Sequence, residues 1–196
     1  MTIFPGAVTM GKAFEQCRCV EQRAMNDLES FFRQMSWDGR FVITDKGRLS
    51  YKLQKTVGDV LINSQRTAET VGVEVKAEEE NKHGNFFFET WSNRSRWKPG
   101  WMSGLDADVL CYYFIKEQEL YLINLEKLRI WAFTLPERQR TQNIYHFPEK
   151  PQSKYQQLND TWGRCVPISV VGEYVGFRKY TYCPFSETWV IAEREK

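Results

Sequence analysis

Val57-Gly58-Asp59-Val60-Leu61-Ile62, Val71-Gly72-Val73-Glu74-Val75-Lys76 and Asn85-Phe86-Phe87-Phe88-Glu89-Thr90-Trp91 follow one another closely in the chain. Each segment is short, rich in β-branched or aromatic residues, and bounded by Gly, Asn or a charge run, which predicts three successive β-strands. Side chains alternate between the faces of a strand, so Val73 and Val75 share one face and Glu74 and Lys76 the other. The carboxylate and the ammonium then stand roughly 6.5–7 Å apart along the strand. Asp59 leads into an apolar run suited to a central strand. The polar residues from Asn63 to Thr70 make a connection of a length that fits an antiparallel hairpin. If those two strands pair, Asp59, Glu74 and Lys76 converge on one spot.

Such a convergence has a chemical use. A hard divalent cation is held by one or two carboxylates together with waters and phosphate oxygens. It polarises a phosphodiester and lowers the pKa of a bound water. A lysine beside it orients or deprotonates that water, or balances charge in the transition state. In this order and spacing, Gly58-Asp59 followed by Glu74-Val75-Lys76 resembles the PD-(D/E)XK nuclease superfamily, with Gly58 where the name-giving Pro stands. The downstream runs Gly84–Asn93, Pro99-Gly100-Trp101 and Ala107–Tyr113 resemble small phage-encoded members of that group. The resemblance implies a restriction-endonuclease-like core, metal-ligand roles for Asp59 and Glu74, and a water-activating or charge-stabilising role for Lys76. It also implies Mg²⁺ or Mn²⁺ as cofactor.

Each feature has a plainer reading. A Glu-x-Lys on a strand is commonly a solvated ion pair, and an Asp after Gly is often a turn residue. Glu89, on the third strand with Phe87 and Trp91 on its face, is either a further metal-binding carboxylate or the partner of a neighbouring Lys or Arg. The segment Asn93-Arg94-Ser95-Arg96-Trp97-Lys98-Pro99-Gly100-Trp101 is the clear basic–aromatic loop. Arg94, Arg96 and Lys98 suit phosphates and Trp97 or Trp101 suits base stacking; the alternative is a surface loop anchored by its tryptophans. Lys55 is a further candidate phosphate contact.

The 27 basic and 25 acidic residues leave a net charge of +2, less basic than a dedicated nucleic-acid binder but compatible with a nuclease that gathers acids at its site. Five cysteines, scattered and odd in number, point to free thiols in a reducing compartment. Two histidines give little support to a histidine metal site or a Ser-His-Asp triad. No run approaches the roughly 20 apolar residues of a membrane span, and no secretion signal is evident, so a cytoplasmic location is expected.

Outward from the central stretch, residues 12–35 carry helical periodicity, with Glu21 and Glu29 as candidates for an additional carboxylate. Ser36–Gly39 reads as a turn, and 41–44 with 49–53 as a hairpin. Leu105–Ile115 and Leu120–Ile123 form a second hairpin. Asn124 caps a helix over Leu125–Phe133 that packs Leu128, Trp131 and Ala132 and stops before Pro136. Residues 137–161 read as irregular, 164–171 as strand-like and 174–191 as a hairpin around Pro184. The expected fold is α/β (α+β). A central mixed β-sheet is flanked by helices in a nuclease-like core over 1–135, and an irregular, β-rich C-terminal extension over 136–196 packs on the same domain. The expected function is a metal-dependent nuclease acting on DNA, with RNA as an alternative substrate and a homodimer as one arrangement. The competing expectation is a non-catalytic module that binds nucleic acid or a protein, such as a phage-encoded inhibitor.

Overall fold

A computed structural model describes residues 20, 23–35, 37–41, 57–64, 68–104, 106–134, 142–152 and 160–194. Its frame is a seven-stranded sheet of β1 (Trp37–Phe41), β2 (Val60–Ser64), β3 (Thr70–Glu78), β6 (Val109–Phe114), β7 (Glu119–Asn124), β10 (Arg178–Cys183) and β11 (Thr188–Arg194), in the order β1-β2-β3-β6-β7-β10-β11. The β3–β6 pair is parallel and the other neighbours are antiparallel, so the sheet is mixed. A parallel pair needs a crossover. Here the crossover carries β4 (Asn85–Asn93) and β5 (Lys98–Pro99), which join β8 (Glu149–Pro151) and β9 (Trp162–Pro167) from later in the chain in a second sheet of order β5-β4-β9-β8. Helix α1 spans 23–34, and three shorter helices follow: α2 (Trp101–Gly104), α3 (Leu125–Phe133) and α4 (Ile168–Tyr174).

Alternation along the central strand β6 feeds two cores. Leu110, Tyr112 and Phe114 join Phe86, Phe88, Val166 and Leu128 between the two sheets. Cys111 and Tyr113 join Leu28, Phe31 and Phe32 of α1 on the opposite face, with Val73, Tyr180 and Trp189. A strand buried on both faces reads as a near-continuous apolar run, as Val109–Phe114 does. On β3 the same alternation sends Val71, Val73, Val75 and Ala77 toward α1. Glu74, Lys76 and Glu78 are left on the face toward the second sheet, where the Tyr112 hydroxyl donates to Glu78.

The expected mixed α+β architecture is present, and the β2–β3, β6–β7 and β10–β11 hairpins fall where the sequence places them. Asn124 caps α3 by accepting from the Lys127 N–H at 2.8 Å. Three local expectations differ. Trp37–Phe41 is a strand where a turn is expected over 36–39, because it pairs along its whole length with β2. Residues 168–174 form α4 rather than continuing a strand; Pro167 has no N–H to extend the ladder, and Val171 is drawn into the inter-sheet core. A bulge between Glu89 and Trp91 interrupts the alternation that would put both on one face. The expected hairpin over 41–53, apart from Phe41, lies outside the described residues, as do Glu21 and Lys55. Among the described residues no helix is long and apolar enough to cross a membrane.

Candidate active site

Gly58 sets the geometry at the entry to β2. Its φ of +91° lies in a region that L side chains rarely adopt, and a Cβ there would meet the Val73 carbonyl oxygen at 2.5 Å. The close approach lets the Asp59 N–H donate to that same carbonyl at 2.8 Å. Pairing of β2 with β3 begins at Val60–Val73, so the next outward β3 amide, that of Val75, has no strand partner there. The Asp59 carboxylate takes its place, accepting from Val75 N–H at 2.9 Å. Asp59 is therefore locked to β3 beside Glu74.

Lys76 and Glu74 form an ion pair at 2.5 Å, with side chains 33% and 7% exposed. The Asp59 and Glu74 carboxyl groups lie within hydrogen-bonding reach of each other. Burial pushes the Glu74 pKa up to about 7; Lys76 opposes the shift and Asp59 adds to it. For Lys76, burial alone would lower the pKa, but Glu74, Asp59 and Glu89 together outweigh it and hold the ammonium above its ordinary value. Burial also raises Glu89, against the pull of Lys76 and of a hydrogen bond from the Trp101 backbone N–H. Three carboxylates, two from the large sheet and one from the small, thus surround one ammonium at the rim of the inter-sheet core.

Two further residues complete the surroundings. The Trp101 ring lies under the Lys76 ammonium, 5.7 Å from Nζ to the ring centre, a cation–π contact. Arg129 of α3 donates to the Met102 carbonyl at 3.0 Å and is close enough to Glu74 for the charges to interact. Arg129 had a legible signal: it falls four residues after Leu125 in the buried stripe with Leu128 and Ala132, an unusual place for a charge. Trp101 stood out only as a base-stacking candidate; its place under Lys76 had no signal, since nothing local ties the end of β5 to β3.

The other candidates lie elsewhere. Glu29 is on the exposed side of α1, paired with Arg33 at 2.5 Å, and contributes no carboxylate to the cluster. Arg94, Arg96, Trp97 and Lys98 are exposed on the β4–β5 turn, neighbouring the cluster through β4 but outside it. Among the described residues, no group of three or more His, Cys, Asp and Glu is spaced as a ready metal cage. The chain matches no protein-family model, no curated protein and no solved structure.

Proposed function

We propose that the protein is a nuclease of the PD-(D/E)XK type that hydrolyses phosphodiester bonds in DNA with Mg²⁺ or Mn²⁺. The observation that carries this reading is the meeting of Asp59, Glu74 and Lys76 from two paired strands, with Glu89 facing them from the second sheet. The donors are all carboxylate oxygens, which suits a hard cation, and Mg²⁺ takes only one or two protein carboxylates beside waters and substrate oxygens. Asp59 and Glu74 would hold it, with Glu89 as a further ligand or a hydrogen-bond acceptor for its waters. When bound, the cation supplies Lewis-acid polarisation of the phosphodiester and a more acidic water.

The chain's own groups divide the remaining work. Asp59 is oriented by the Val75 amide through one oxygen, which keeps the carboxylate from rotating away. Glu74 is close to half-ionised at neutral pH, so an added positive charge nearby has the largest effect on it. The raised pKa of Lys76 keeps its amine protonated. A cation held by Asp59 and Glu74 would offset much of that raise, so in the loaded site Lys76 could orient the attacking water, accept its proton, or steady charge on the phosphate.

The test is cleavage of single-stranded, duplex and branched DNA, and of RNA, with Mg²⁺ or Mn²⁺ against EDTA. Asp59→Ala and Lys76→Ala are each expected to lower the rate by at least about a hundredfold. Equal rates in parent and variants, or no cleavage of any form, reject the reading. The near-complete burial of Glu74, with its charge met by Lys76, favours one other reading. In it the cluster is structural, and the protein binds nucleic acid or a protein partner without cutting, as a phage-encoded inhibitor would.

A further inference from the structure

Beside the cluster, on the outer reach of the small sheet, is a cavity of about 670 Å³, within the range of small-ligand sites. Trp91, Trp97 and Tyr145 form its aromatic walls, and Thr90, Glu149 and Arg164 its polar floor. Trp97 is 80% and Tyr145 54% exposed, and the Arg164 guanidinium lies over the Tyr145 ring, 5.4 Å from its centre, leaving its other face to water. Trp97 meets Trp91 edge to face, with ring centres 5.8 Å apart. The turn that carries Trp97 is fixed: Arg94 N–H donates to the Asp160 carbonyl, Ser95 N–H to the Asp160 carboxylate and Arg96 N–H to the Asn93 side chain. The aromatic wall is thus formed before any ligand arrives, which reduces the cost of ordering it.

The floor has unspent hydrogen-bonding capacity. Glu149 accepts from the Thr90 hydroxyl at 2.6 Å, while the Arg94 and Arg164 guanidinium groups both stand 3.8 Å from it, beyond hydrogen-bond length. Arg164 already donates from Nη1 to the Phe147 carbonyl, and its Nη2 is the atom that stands beside Glu149. Arg94 lines the cavity, and Arg96 and Lys98 are exposed on the same turn, adding positive charge nearby.

We propose that this cavity takes one unpaired base of a nucleic-acid strand, stacked against Trp97 and Tyr145, with its polar edge toward Glu149 and Arg164. The flanking phosphates lie along Arg94, Arg96 and Lys98. Flat apolar walls, donors and an acceptor at the floor and cations at the mouth match a base attached to phosphates. A base inside a duplex has its faces and its pairing edge occupied and does not fit. Thr90 and Ser103 line the cavity; Glu89, next to Thr90, belongs to the charged cluster, and Trp101, two residues before Ser103, lies under Lys76. As a binding assignment the proposal stands alone; as a substrate preference for single-stranded or frayed DNA it rests on the hydrolytic reading above.

The experiment is fluorescence anisotropy in EDTA and low salt, with a labelled single strand of about a dozen nucleotides, the matched blunt duplex, and a nucleoside monophosphate as competitor. Trp97→Asn keeps a residue tolerant of the left-handed turn conformation (φ +52°) while removing the ring, and Tyr145→Ala removes the other wall. The single strand is expected to bind more tightly than the duplex, and each variant, at unchanged Tm, to weaken it on the order of tenfold. Ile191→Ala, on β11 of the large sheet, is expected to change nothing. Equal binding of strand and duplex, unchanged affinity in both variants, no binding at low salt, or a monophosphate as tight as the strand overturns the proposal. Strand binding without cleavage under any metal condition would reject the hydrolytic reading and leave the cavity assignment in place.

Discussion

At the residue scale, Glu74 is a carboxylate placed where burial works against its charge. Its pKa rises from 4.5 to about 7, so between those values the folded chain holds a proton that the unfolded chain has released. Stability therefore falls as pH rises across that window, and the cost is fully present above it, on the order of 3 kcal/mol for a shift of this size. Lys76 acts in the opposite sense. Its raised pKa contributes stability that is present below the ordinary lysine value and is lost only as pH climbs through the higher folded one. The expected outcome in EDTA is an unfolding free energy that drops between about pH 5 and about pH 7.5, with a shallower drop in Glu74→Gln. Burial raises Glu78 and Glu89 as well, so a residual slope remains; an unchanged slope would contradict the burial of Glu74. The placement of Asp59, Glu74 and Lys76 was legible because strand alternation and a hairpin connection are local rules. Trp101 was not, because its position depends on how the second sheet docks.

At the element scale, the strand entry at Gly58 and the cap at Asn124 are the clearest tests. Gly58→Ala puts a methyl group against the Val73 backbone in a conformation that Ala avoids, and is expected to cost roughly 2 kcal/mol or more. It should also displace Asp59 from the Val75 amide, so cleavage should fall with stability; a Tm equal to the parent's contradicts the geometry. Asn124→Ala removes the bond to Lys127 N–H and is expected to cost about 1 kcal/mol in urea unfolding. The α3 cap was readable because Asn before an apolar helical stripe is a local signal. The strand-to-helix switch at Pro167 was not, since Ile168, Val170 and Val171 have the composition of a strand. Burial of Val171 in the inter-sheet core, a tertiary effect, overrides that preference.

At the scale of the whole molecule, the residues from 160 onward are woven into both cores. β9 pairs with β4, and β10 with β7. Val166, Val171 and Phe177 enter the inter-sheet core, while Tyr180 and Trp189 enter the one beneath α1. A chain ended at residue 135 loses all five and is expected to show no cooperative thermal transition; a sharp transition in that fragment would contradict this account. The sequence announced the last hairpin through Pro184 and its alternating aromatics, but not its partners. A strand's neighbour in a sheet is chosen by shape and burial over the whole fold, and β7–β10 and β4–β9 join residues far apart in the chain. The account depends most on whether the carboxylate cluster holds a divalent cation. Mn²⁺ titration of the purified protein, followed by electron paramagnetic resonance of the free ion, measures that directly. The account predicts uptake at one site, abolished in Asp59→Ala with the fold intact; no uptake, or the same uptake in parent and variant, would contradict it.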